Sequence, residues 1–241
     1  MPAVTHPKID IYGGRDPIGI PAYTIAFAAH CLQLPPATMR SWVFGRRYPT
    51  ESGPKQFTPV IRVADPSGHL LSFLNLVELH VLSAIRRDHQ VKIREVRKAI
   101  SYLSSTFGSD HPLAHQQMLT DGKDLFIEKY GELVGCSQEG QLNMKSVLGA
   151  FLTRIERNKQ GLPVRLYPFV SNRIDEPARF VSIDPRIRFG RPCIAGTGIP
   201  TAIVAERHKA GELIQDLATD YGRSPREIEE AIRYEERPTA A

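Results

Sequence analysis

Two stretches carry residue types at spacings that could do chemistry. The first is Pro36 to Arg47, PATMRSWVFGRR. Opened by Pro36, it is a short amphipathic run whose outer face shows Ala37, Thr38, Arg40 and Ser41, with Arg46 and Arg47 close behind. Small polar and basic side chains in such a run hydrogen-bond base edges and neutralise phosphates. The second is Gly190 to Pro200, GRPCIAGTGIP, with three glycines and two prolines in eleven residues. Glycine gives away backbone order and proline removes amide donors, so the stretch is a shaped loop. Exposed amides ahead of a helix can cradle a phosphate. The GxxxxGK[ST] pattern is absent, however, and no lysine follows Gly198 to meet one.

Other chemistry finds little support. His111 and His115 lie four apart, but Pro112 opposes a helix there and no third ligand is in view, so no metal site is expected. Cys31, Cys136 and Cys193 are scattered without a CxxC pair, which argues against zinc and a disulfide framework and suits a reducing compartment. There is no Ser/His/Asp or Cys/His grouping and no paired carboxylate motif. Asp184 precedes Pro185 and reads as a cap or turn former. The expectation is neither an enzyme nor a cofactor-binding protein.

The elements that position these residues must fit 241 residues, enough for two small domains or one large one. No apolar run approaches the ~20 residues of a membrane span. The N-terminus lacks a signal-peptide core, so a cytoplasmic protein is expected. The net charge of +5 is unevenly placed. Residues 1–110 hold 13 Lys/Arg against 8 Asp/Glu, and residues 111–241 hold 18 of each, so the whole excess lies in front. A basic front attracts a phosphate backbone. Residues 212–236 hold eight acids and three arginines, a poor surface for DNA.

From Tyr23, Thr24 can cap a helix burying Ile25, Ala28, Ala29 and Leu32. Gln33-Leu34-Pro35 makes a turn, and Pro36 suits the first position of a second helix burying Met39, Trp42 and Val43. Gly45 stops it. TPVIRVADPSGHLLSF alternates about Asp65-Pro66-Ser67-Gly68 and predicts a two-stranded hairpin, the wing, with Arg62 and His69 near its tip. FLNLVELHVLSAIRRD and VKIREVRKAISYLSSTF predict two more helices. This order over residues 23–107 resembles the winged helix-turn-helix of MerR-type regulators. Pro35 departs from it, standing where a Ser or Asn cap is common. The resemblance implies DNA binding through Pro36, Thr38, Arg40, Ser41, Arg46, Arg47, Arg62 and His69.

Residues 108–142 read as a β-hairpin or small meander. NMKSVLGAFLTRIERNKQG reads as a helix from Asn143 to Gly161, and PVRLYPFV as extended. Three short helices follow the Gly-rich loop. Leu213, Ile214 and Leu217 point inward on the second, and Ser224-Pro225-Arg226-Glu227 opens the third with a capping box. The fold class is thus mainly α with small β elements: an N-terminal arm (1–22), the winged helix-turn-helix (23–107), a mixed α+β middle region (108–180) and a trihelical domain (181–241).

VSIDP, GRPCIAGTGIPTAIVAERHKAG and DLATDYGRSPREIEEAIRY together resemble the domain of unknown function 433, whose members occur as antitoxins. With the MerR-like front, the whole chain resembles the VapB-type antitoxins. The resemblance implies an antitoxin that neutralises a VapC-type PIN-domain ribonuclease, represses its own operon through operator DNA, and acts as a homodimer. Arg186, Arg188, Arg191, Thr197 and Gly198 become the candidate toxin contacts, an arginine pairing with the nuclease's metal-holding acids. The family usually has Gly-Thr-Arg before Ile-Pro; here Gly198 replaces that arginine, leaving Arg188 or Arg191 to do its work. A stand-alone MerR-like regulator with an effector-binding C-terminal half also fits.

Overall fold

The computed structural model describes residues 12–49, 53, 55–86, 92–135, 137–170 and 178–237. The first eleven residues of the N-terminal arm and Cys136 lie outside the described residues. The chain is mainly helical with three small antiparallel strand pairs among the described residues.

The front begins at Tyr23, whose backbone exchanges hydrogen bonds with Leu71 at 2.9 and 2.8 Å. Thr24 then caps α1 (Ile25–Leu32), its hydroxyl accepting from the Phe27 amide. Gln33 takes the left-handed conformation that turns the chain. α2 (Pro36–Phe44) opens on its proline without a side-chain cap, and buries Met39, Trp42 and Val43 as their spacing predicts. Gly45 ends it at φ 73°; a Cβ there would collide with the Phe57 carbonyl.

The wing is not where the alternation of residues 58–72 places it. It is formed by β1 (Arg46–Tyr48) and β2 (Lys55–Phe57), antiparallel, with Arg46 opposite Phe57 and Arg47 opposite Gln56. Residues 58–64 carry no regular secondary structure, with bends at 60, 61 and 64, and pair with no strand. Their backbone groups are taken up by helices instead. Arg97 donates to the Thr58 and Pro59 carbonyls at 2.6 and 3.2 Å, and the Val60 amide donates to the Trp42 carbonyl. Asn75 accepts from the Ala64 amide and donates to the Arg62 carbonyl. Only Asp65 and Leu70 close a tight turn, in which Asp65 accepts from Ser67 and Gly68.

α3 (Phe73–Ile85) lies at the centre of the larger core and is buried on nearly every side. Ser72 and Asn75 form its capping box. Burial pushes the Glu78 carboxyl above its usual range, while His111 at 2.8 Å opposes this. α4 (Ile93–Phe107) buries Val96, Ala99, Ile100 and Leu103.

The described part of residues 108–142 is helical, not a hairpin or meander. Two 3-10 turns, Pro112–Ala114 and Gln116–Leu119, lead into α5 (Asp121–Val134). Thr120-Asp121-Gly122 is the entry to this helix rather than a strand turn, and Asp121 and Asp124 suit its positive end. Phe126, Ile127 and Tyr130 form its buried stripe. α6 (Gln138–Leu152) starts earlier than Asn143, because Ser137 caps it, and it stops at Leu152. Ile155 is buried on β3 (Ile155–Arg157), which turns at Asn158 into β4 (Pro163–Leu166). The Asn158 side chain accepts from the Gln160 and Leu162 amides, so ERNKQG is a hairpin turn.

β5 (Val181–Ser182) pairs with β6 (Cys193–Ile194), which lies inside the Gly-rich segment. Then come α7 (Thr201–Lys209), α8 (Ile214–Tyr221) and α9 (Pro225–Glu236), the last with the Ser224–Glu227 capping box. Leu213, expected inward, is 63% exposed because it sits at the cap of α8 rather than inside it. One apolar core runs from Ile18 to Ile183 and takes in α1 to α6. A second, of Ile194, Val204, Leu217, Ala218, Ile228, Ala231 and Ile232, fills the last three helices.

Candidate functional site

Along α2 and β1, Pro36, Ala37, Arg40, Arg46 and Arg47 are exposed, and Thr38 and Ser41 half-buried. With Met39, Trp42 and Val43 buried, helical periodicity turns residues 37, 40 and 41 outward. Gly45 joins this face to the wing, so Arg46 and Arg47 enter the strand directly and project to opposite sides of it. The wing has its own support: the Arg97 guanidinium lies 4.4 Å over the Phe57 ring while its nitrogens hold the chain just beyond. The arrangement offers a helix with a small-polar and basic outer face beside a basic two-stranded ribbon, dimensions that suit a DNA groove.

Arg62 and His69 lie outside β1 and β2. Arg62 pairs with Asp110 at 2.6 Å, both side chains largely exposed. His69 has φ 56° and packs on the Phe44 ring at 4.6 Å, beside the end of α2.

The Gly-rich loop has a second component just ahead of it. Arg188, Phe189 and Gly190 have φ of 49°, 57° and 75°, three left-handed residues in succession, two of them not glycine. This conformation costs each L-residue roughly 1–2 kcal/mol. Surroundings hold it in place. The Ile187 amide donates to Asp184, Gly190 to Ile187 and Arg191 to Arg188, while Arg188 Nε donates to the Gly198 carbonyl at 3.0 Å. Asp184 is buried, accepts from the Arg186 amide and meets Arg165 at 3.1 Å, the turn-forming role its place before Pro185 suggests.

The candidate contacts differ in what they are free to do. Arg186 pairs with Asp16 at 2.9 Å. The Thr197 hydroxyl donates to the Ile194 carbonyl and accepts from the Ile199 amide, bracing the loop from inside. Arg188 lies against Gly198, and Arg191 is exposed. Arg188, Arg191 and Gly198 line one open cleft of about 590 Å³. Phe189 and Ile203 line it too, and neither stood out in the sequence. The one available signal was a Phe within a run of arginines, where a core residue is out of place.

The C-terminal helices sit on the helix-turn-helix itself. Tyr234, fully buried, donates to the Cys31 carbonyl at 2.8 Å; Glu235 meets His30 at 2.8 Å and the Thr201 hydroxyl. Glu235 raises the His30 pKa by hydrogen bonding, against the lowering effect of burial. At the other end, Gly190 rests on Tyr23, and a Cβ at 190 would overlap the phenol oxygen. α9 thus meets α1 at His30 and Cys31.

Among the described residues no group of His, Cys, Asp and Glu is placed to hold a metal ion, and no helix is long and apolar enough to cross a membrane.

Residues 21–100 match the family "Putative DNA-binding HTH domain", and residues 181–234 match "Protein of unknown function (DUF433)". The chain is 30% identical over 232 residues to "Putative antitoxin VapB45" of Mycobacterium tuberculosis, covering 88% of this chain and 93% of that protein. It is 26% identical over 220 residues to "Uncharacterized protein Rv2308" of the same organism, covering 88% and 89%. The crystal structure of Rv2018 from Mycobacterium tuberculosis superimposes with a TM-score of 0.65 at 25% identity, covering 88% of this chain and 98% of that one.

Proposed function

Because the chain belongs to the VapB-type antitoxin family, we propose that it neutralises a VapC-type PIN-domain ribonuclease and represses its own operon by binding operator DNA. The observation that carries this reading is the pairing of two faces on one frame. A basic helix and wing are formed by residues 36–57, and a strained, arginine-bearing loop by residues 186–191, which meets the start of the helix-turn-helix at Tyr23.

On the DNA side, Thr38, Arg40 and Ser41 read base edges, with Pro36 setting the helix entry. Arg46 and Arg47 neutralise phosphates from the wing. Arg62 and His69 flank this face, Arg62 with its charge already shared with Asp110. A homodimer would match a two-fold operator. On the toxin side, Arg188 and Arg191 pair with carboxylates of the nuclease, Arg188 beside Gly198 where the family carries an arginine. Arg186 and Thr197 hold the loop's shape through Asp16, Ile194 and Ile199. Residues 181–241 form the toxin-binding domain, a division supported by their own apolar cluster. The role is that of a cytoplasmic binding protein without catalytic chemistry.

Co-expression with the product of the adjacent gene tests the reading. A stable complex in which ribonuclease activity is suppressed is the expected result. Operator binding without any complex would move the function to a stand-alone regulator.

A further inference from the structure

The toxin contact can be defined more closely, on the premise that the antitoxin reading holds. We propose that the cleft between residues 188–191 and α7 is a seat for an apolar side chain of the toxin flanked by carboxylates. Phe189 and Ile203 grip the side chain, and Arg188 and Arg191 take the carboxylates.

Phe189 is 69% exposed and Ile203 44% exposed, and both line the same cleft. An exposed phenylalanine in a left-handed conformation is unfavourable twice over, in backbone strain and in hydrated apolar surface. The protein nonetheless holds it there with backbone hydrogen bonds on both sides and the Arg188 contact to Gly198. Strain of this kind persists where it presents a group for binding. Ile199, Pro200 and Tyr221 add an apolar floor, and about 590 Å³ admits one or two side chains.

Charge selects the occupant. The lining holds two arginines and no acidic residue. A phosphate ligand would use the arginines but leave the apolar floor wet, whereas an apolar side chain beside carboxylates satisfies both. Aromatic and arginine residues around a desolvated centre are also the usual composition of protein hot spots. The seat is not the loop's internal bracing: Thr197 and Arg186 are spent on holding its shape.

The test uses the full-length chain and the adjacent gene product, with affinity measured by calorimetry. Phe189→Asp and Ile203→Glu should each weaken the complex at least tenfold while operator affinity and circular dichroism stay unchanged. Arg191→Glu should weaken it and flatten its salt dependence. Leu142→Glu, on an exposed site of α6, should leave it unchanged. If the wild-type complex is tight and both cleft variants bind as well as wild type, the seat is elsewhere, though the antitoxin reading stands. If Phe189→Asp instead converts a dimer of the free chain to a monomer by light scattering, the cleft serves a second copy and the proposal is overturned. Absence of any wild-type complex removes the antitoxin reading and this inference with it. Should Phe189→Asp misfold, Ile203→Glu, on the outer face of a helix, carries the test.

Discussion

The phenol of Tyr234 donates to the backbone carbonyl of Cys31 at 2.8 Å, joining residues 203 apart in the chain. The carbonyl belongs to the last turn of α1, where helix carbonyls lack intrahelical partners. α9 therefore completes α1, the first helix of the helix-turn-helix.

Tyr234→Phe removes this one hydrogen bond with almost no change in volume. A loss of about 1 kcal/mol in unfolding free energy is expected, read from the urea midpoint at constant slope. Operator affinity should fall less than stability, since Tyr234 bonds to the end of α1 and the turn after it rather than to residues 37, 40 and 41 of α2.

The neighbouring His30–Glu235 contact gives stability a pH dependence with a definite sign. Glu235 raises the folded-state pKa of His30 above the ordinary 6.5. Its stabilisation is thus complete below pH about 6.5 and is lost as pH rises through the folded value. Wild type should lose stability as pH rises above about 6.5, and His30→Gln should flatten that slope. An equal slope in both proteins would show the contact to be thermodynamically silent.

Gly190→Ala combines a left-handed φ of 75° with overlap on the Tyr23 phenol. Destabilisation by about 2–4 kcal/mol is expected, measurable as a lowered Tm. A neutral substitution would mean that Tyr23 can retreat, and that the two ends are not wedged together as described.

Arg40→Ala with Arg47→Ala should weaken operator binding by about tenfold or more for each contact at fixed salt, with partner binding intact. Equal DNA affinity in variant and wild type would reject α2 and β1 as the reading face.

Arg97→Met separates support from contact. It removes the cation–π contact to Phe57 and the hold on the Thr58 and Pro59 carbonyls. Operator affinity should drop severalfold, yet the salt dependence should change less than for Arg47→Ala, because the loss is in wing placement rather than charge.

What could be read from the sequence was what short-range physics decides. α1, α2 and α9 announced themselves through Thr24, Pro36 and the Ser224–Glu227 box, each acting within four residues. The wing was displaced because residues 58–64 alternate like a strand, while their hydrogen bonds go to Trp42, Asn75 and Arg97. Those partners are distant in sequence and leave no local mark. Residues 108–134 misled for the opposite reason: Thr120-Asp121-Gly122 is turn-forming in composition but begins a helix that packs on α4 and α6. Arg188, Arg191 and Gly198 do share one cleft, yet its apolar half was hidden, since Phe189 and Ile203 look like core residues until their exposure is known.

The seating of Gly190 on Tyr23 also bears on how such a protein would assemble. With the wedge at one end of α1 and Tyr234 at the other, the proposed partner cleft and the proposed operator face are both tied to α1. The reach of a flexible tether then plays no part, and the orientational entropy is spent when the chain folds rather than when the complex forms. Two copies on neighbouring half-sites would hold two captured partners at a spacing dictated by the DNA helical repeat, so operator length would become a ruler for the whole repressed assembly.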